Sequence, residues 1–144
     1  MTPVRILLEI PIAKEAGSVY AELCNWAAHS DWVPLTRVDV LSDGEFVAYT
    51  GVGPLVLKDH MRIASRNDTE REVLVEKLGP VLKGTVLFRV ESRDEGCLVV
   101  WDEKLQVPVL PRALVKPIEL VGSTLFRVAF RRFAKSLPSE NRTL

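Results

Sequence analysis

Residues 111–137 read PRALVKPIELVGSTLFRVAFRRFAKSL, the longest run in the chain with a helical period. On an α-helix, at about 3.6 residues per turn, Val115, Ile118, Gly122, Leu125, Phe126, Ala129 and Phe133 fall on one broad face. Lys116, Thr124, Arg127, Arg131 and Lys135 fall on the other. Such a helix is too polar outside to cross a membrane and too apolar inside to stand free. It requires a partner surface, and the rest of the chain has to supply one.

The preceding residues read as strands. Val4 to Pro11 alternates, with Val4, Ile6, Leu8 and Ile10 on one side, and proline closes it. From Lys14 the period changes: Ala16, Val19, Tyr20, Leu23 and Trp26 recur at three and four, which predicts a helix of about three turns ending near Asn25. Ala27 to Trp32 predicts a second short helix that runs into Pro34. Six strands follow at 36–41, 45–52, 55–65, 72–78, 83–92 and 97–107, separated by turn signals such as Ser42-Asp43-Gly44 and Gly79-Pro80. Short turns make consecutive strands antiparallel neighbours. The expectation is an α+β fold: a seven-stranded antiparallel sheet, two short helices after the first strand, and a long C-terminal helix over its concave face.

Composition narrows the class. A chain of 144 residues and 16.1 kDa suits a single domain, placed at 1–137, with 138–144 as a loose tail. Nineteen basic and nineteen acidic side chains cancel, so no overall field favours nucleic acid or an anionic membrane. Arg127, Arg131, Arg132 and Lys135 are explained by a solvated helix C-terminus. Cys24 and Cys97 lack metal-ligand spacing and read as reduced, buried thiols. Neither a cleavable leader nor a run of ~18 apolar residues is visible, so a cytoplasmic protein without stable membrane insertion is expected. His29 and His60 have no second ligand at metal spacing; no metal and no cofactor are expected.

Two carboxylates stand out. On 97–107, Glu103 shares a face with Cys97, Val99, Trp101 and Leu105, while Asp102, Lys104 and Gln106 take the other. On 55–65, Asp59 shares a face with Leu55, Leu57, Met61 and Ile63, which puts His60 outside. An inward carboxylate is expensive unless paired. Each is therefore a candidate polar anchor or general acid/base, or else a carboxylate held by a base or set at a cavity mouth. Gly122 in mid-helix costs about 1 kcal/mol against alanine; it either makes room for a ligand or permits tight helix–sheet packing. Tyr49 and Arg62 have no stronger reading than rim or surface contacts, and no serine or cysteine carries a nucleophile motif.

The order strand, two short helices, six strands and long helix resembles the START-like (SRPBCC, helix-grip) superfamily. Within it, the polyketide cyclase/dehydrase and lipid-transport branch is the most similar. Val19-Tyr20 with Trp26, Trp32 and Pro34, the turn Gly79-Pro80-Val81-Leu82-Lys83-Gly84, the strand Cys97-Leu98-Val99-Val100-Trp101, and Phe126, Arg127 and Phe133 carry the likeness. The resemblance implies a deep apolar cavity between sheet and closing helix that holds a hydrophobic small molecule, a lipid or polyketide-like compound. Trp32, at the cavity entrance, would line it with Met61, Ile63, Phe88, Val99, Trp101, Gly122, Leu125, Phe126 and Ala129, and Glu103 would be its polar contact. The alternative is a cyclase/dehydrase-type enzyme using Glu103 or Asp59. A third reading, a domain gripping a protein partner, requires a filled interior and an exposed apolar patch. Exposed strand edges also admit a homodimer.

Overall fold

The computed structural model describes residues 2–137, so the tail expected at 138–144 lies outside the described residues. Strand β1 (Thr2–Ile12) leads into helix α1 (Ala16–Leu23), a 3-10 turn (Trp26–Ala28) and the single turn of α2 (His29–Trp32). Strands β2 (Thr36–Ser42), β3 (Glu45–Val52), β4 (Leu55–Asn67), β5 (Glu72–Gly79), β6 (Lys83–Arg93) and β7 (Gly96–Val107) follow. A 3-10 turn (Arg112–Leu114) then starts the long helix α3 (Val115–Ser136). Helix α1 is shorter than its periodicity suggests. The Glu15 carboxylate caps it, accepting from the amides of Gly17 at 2.9 Å and Ser18 at 3.2 Å, which fixes the first turn at Ala16.

All seven strands form one open antiparallel sheet in the order β1-β7-β6-β5-β4-β3-β2. The six-strand meander explains β2 to β7, and β1 closes against the last strand with Ile6 opposite Glu103 and Leu8 opposite Trp101. Alternation is cleanest on β5, β6 and β7, where Val73, Val75, Val86, Phe88, Val90, Cys97, Val99 and Trp101 all turn inward and are buried. One glycine is obligatory there. Gly84 has φ +144°, and a β-carbon on it would stand 1.9 Å from the Lys104 carbonyl oxygen. The core cluster joins this inner face to Val19, Tyr20 and Leu23 of α1, to Trp26 and Trp32, and to Ala129, Phe130 and Phe133 of α3. The thiols of Cys24 and Cys97 are free; Cys97 is buried and Cys24 partly so.

Helix α3 is present where the periodicity predicts it, but its buried face is rotated from the expected one. Ala129, Phe130 and Phe133 are buried and Phe126 packs against the core, whereas Ile118 and Leu125 are 39% and 54% exposed. The cause lies at β1. Glu119 accepts a hydrogen bond from the Arg5 amide at 2.9 Å, and Gly122 lies so close to Ile6 that a β-carbon would fall 2.6 Å from its Cδ1. These contacts dock the helix on the edge strand through the side carrying residues 119 and 122. Leu125 is thereby turned into solvent, and Gly122 serves close packing against Ile6. Leu114 in the preceding turn and Ile118, Val121, Leu125 and Val128 of α3 consequently form an exposed apolar stripe.

The rotated face is testable by substitution. Phe133→Ala should lower unfolding free energy by about 3–5 kcal/mol, while Leu125→Ala should change it by no more than about 0.5 kcal/mol. Urea denaturation of the two variants measures both, and equal losses would contradict the orientation of α3.

Candidate functional site: an aromatic cavity over a buried ion triad

The inward faces of three strands bring three charged side chains together. Alternation on β4 aims Asp59 and Met61 inward, on β5 Val73, Val75 and Lys77, and on β7 Trp101 and Glu103. Met61 and Lys77 are register partners, Ala48 faces Asp59, and Val86 faces Glu103. The β6 partner of Lys77 is Gly84, so no β6 side chain stands at that register position. Asp59, Lys77 and Glu103 are 9%, 7% and 4% exposed, unusual burial for such residues.

Lys77 holds the group together. Its ammonium donates to Asp59 Oδ2, forms an ion pair with Glu103 Oε1 at 3.2 Å, and lies 3.8 Å from Met61 Sδ. The indole Nε1 of Trp101 donates to Glu103 Oε2 at 3.5 Å. Burial by itself pulls the Lys77 pKa down, but the two carboxylates together outweigh it and leave the group above the ordinary lysine value. Lys77 is thus an ammonium at neutral pH, unsuited to act as a nucleophilic amine. The other Asp59 oxygen, Oδ1, is buried with no hydrogen-bond partner. So is the indole Nε1 of Trp32.

Above the triad lies a cavity of about 120 Å³. Trp26, Trp32, Phe46, Phe88, Trp101 and Phe126 bring aromatic rings to its wall. Trp26 stacks on Phe46 at 5.0 Å between centroids, Phe88 stacks on Trp101 at 5.6 Å, and Phe126 leans on Trp101 at 5.4 Å. Trp32 joins this wall to Phe130 and Phe133 of α3. His29 also reaches the cavity, and its Nε2 lies 2.7 Å from the Leu23 carbonyl oxygen. A carbonyl only accepts, so the proton sits on Nε2. Burial pushes the His29 pKa down to about 4, which keeps the ring neutral at pH 7. Val33 and Thr36 line both this cavity and a surface depression of about 520 Å³ that includes Leu35, Tyr49, Gly51, Val56 and Arg132. The cavity therefore adjoins the surface between the α2–β2 connection and the β3–β4 hairpin.

Of the residues singled out from sequence, Trp32, Asp59, Met61, Phe88, Trp101, Glu103 and Phe126 line the cavity. Ile63, Val99 and Ala129 instead belong to the packed core, Gly122 lies against Ile6, and Leu125 is exposed. Trp32 is only 2% exposed and so lies deep, with Val33 and Thr36 nearer the opening. Sequence reasoning passed over Lys77, Trp26, Phe46 and Ala48. The signal for Lys77 was present: the alternation of Val73 and Val75 carries straight on to it. His60 is on the outer face, where Nε2 meets Glu45 Oε1 at 2.5 Å, and Arg62 pairs with Glu76 at 2.7 Å. Tyr49 lies under the Arg37 guanidinium, on the wall of the outer depression. Among the described residues, no group of three His, Cys, Asp or Glu side chains is arranged to hold a metal ion.

Comparison with solved structures decides the fold. An aromatase/cyclase, ZhuI from Streptomyces sp. R1128, superposes with a TM-score of 0.78 at 13% identity over 94% of each chain. The chain has the START-like, helix-grip fold. A START superfamily protein from Mycobacterium smegmatis matches with a TM-score of 0.75 at 10% identity, over 94% of this chain and 96% of that one. Ara h 8.0201 matches with a TM-score of 0.68 at 9% identity, over 94% and 99%. No protein-family model matches the chain, and no curated protein matches its sequence. No helix among the described residues is long and apolar enough to cross a membrane.

The triad makes a sharp prediction. Lys77→Met leaves two buried carboxylates without their cation and should cost about 3–5 kcal/mol of stability. Adding Asp59→Asn and Glu103→Gln to Lys77→Met should restore most of that loss, because the buried charge is then gone. Urea titrations at pH 7 read both, and a loss under about 1 kcal/mol for Lys77→Met would contradict a charged, buried triad.

Proposed function

We propose that this protein binds a hydrophobic small molecule in the cavity between its sheet and α3. The observation that carries the reading is the cavity itself: an aromatic-walled space next to two buried polar atoms, Asp59 Oδ1 and Trp32 Nε1, that have no partner within the protein. Buried polar groups are almost always hydrogen-bonded. Two exceptions on residues lining one cavity mark where a ligand, or water in its place, completes the bonding. Apart from Lys77, Glu103, His29 and the hydroxyls of Thr36 and Thr50 the lining is apolar, and a mainly apolar wall with a few placed polar groups is the usual composition of a small-molecule site.

Size bounds the occupant. Typical ligand pockets hold roughly 300–1,000 Å³, so a cavity of about 120 Å³ receives one compact group, not a folded polyketide or a whole lipid. A longer ligand would extend past Val33 and Thr36 into the outer depression, where Leu35 and Val56 offer apolar surface. The fold is shared with an aromatase/cyclase, which accords with a cavity-centred role. Catalysis by Glu103 or Asp59 as an independent acid or base is disfavoured, since Lys77 engages both. We place the protein in the cytoplasm, acting without a cofactor; strand edges leave a homodimer open to it.

Native mass spectrometry of the purified protein should show a bound small molecule, or uptake of toluene or benzyl alcohol measured by saturation-transfer NMR. Ala48→Phe, which fills the cavity from β3, should abolish uptake while the protein still melts cooperatively. A bare mass together with no transfer from either probe would refute ligand binding.

A further inference from the structure

The triad is unbalanced. Two carboxylates face one ammonium, a formal excess of one negative charge on residues that are 4% to 9% exposed. Charge removed from water without a counter-charge is costly. Asp59 concentrates the imbalance: Oδ2 takes the Lys77 proton donor while Oδ1, buried, takes none. The cation available to it from the protein is already shared with Glu103. Neutral His29 brings no charge, and the remaining walls are aromatic or aliphatic apart from hydroxyls at Thr36 and Thr50.

An aromatic enclosure with excess negative charge at its floor is suited to a cation. Ring faces attract ammonium groups, most strongly once both are out of water. Trp26, Phe46, Phe88 and Trp101 present such rings around the same space that Asp59 lines. Trp32 adds the opposite requirement, an N–H in want of an acceptor. The volume, about 120 Å³, is below the roughly 150 Å³ of an apolar cavity that accommodates benzene, so the occupant is limited to a single ring, and any part that exceeds the space extends past Val33 and Thr36 toward the outer depression.

We propose that the occupant is a small aromatic amine bearing an oxygen on its ring: the ammonium donates to Asp59 Oδ1, the ring lies among the aromatic walls, and the oxygen accepts from Trp32. This rests on the ligand-binding reading above and narrows it to a chemical class. The site selects against carboxylate ligands, whose charge would face Asp59 and Glu103 without relief.

Three probes differing only in their head group test it: 4-hydroxybenzylamine, 4-hydroxybenzyl alcohol and 4-hydroxybenzoate, titrated by calorimetry at pH 7 with toluene as an apolar reference. The amine should bind at least about tenfold more tightly than the alcohol, and the acid at least about tenfold more weakly than the alcohol. In Asp59→Asn the advantage of the amine should shrink to within about twofold while the alcohol still binds; Glu103→Gln, which also removes the excess charge, should shrink it in the same direction. The acid binding as tightly as the amine, or the amine keeping its full advantage in both variants, overturns the proposal. Should neither variant fold, the wild-type series decides alone. If neutral probes bind without the predicted ranking, the amine assignment falls and ligand binding stands; if toluene and all three probes fail to bind, both fall.

Discussion

Three strands of the sheet converge on a single ammonium. Lys77 of β5 sits between Asp59 of β4 and Glu103 of β7, all three withdrawn from water, and the aromatic wall of the cavity is built on top of them. An apolar replacement of the same volume would often be equally stable or more so. The ion group therefore contributes little to stability that leucines would not, and its value is in what it does to the cavity floor. It supplies a fixed charge pattern, with one acceptor left open, inside a space otherwise lined mainly by aromatic and aliphatic side chains. The two carboxylates in turn keep Lys77 protonated.

Helix α3 presses Phe126, Phe130 and Phe133 toward Trp32 and Trp101, closing one side of the cavity. It achieves this angle by docking on β1 through Gly122 and Glu119. The same docking exposes the stripe from Leu114 to Val128. Opening to the surface is left where Val33 and Thr36 separate the inner space from the outer depression.

Much of this was legible in the sequence because β-strand alternation is a strict rule of period two. Glu103 and Asp59 were placed inward by counting along 97–107 and 55–65, and both are there. Lys77 obeys the same rule, but a lysine near a strand end reads as solvated unless its apolar neighbours Val73 and Val75 are followed one step further. The α3 face was less legible. Apolar residues circle more than half of that helix, so periodicity leaves its rotation free, and contacts distant in sequence, with Arg5 and Ile6, set it. The cavity volume was not legible at all, since it depends on how Trp26, Phe46 and Phe88 pack against each other. The identity of a residue does not state its rotamer.

The most direct test of the account is the charge state of Lys77, followed through its side-chain 15N resonance as pH is raised. Lys77 should give an ammonium signal, slow to exchange with water and coupled to Asp59 and Glu103, that persists above the ordinary lysine range near pH 10.4. Like any group whose pKa is raised on folding, it contributes its full stabilisation below the unfolded pKa and loses it only as pH climbs through the folded one. A Lys77 signal that exchanges rapidly and titrates at or below about 10.4 would show a solvated lysine and contradict the buried triad on which the site is built.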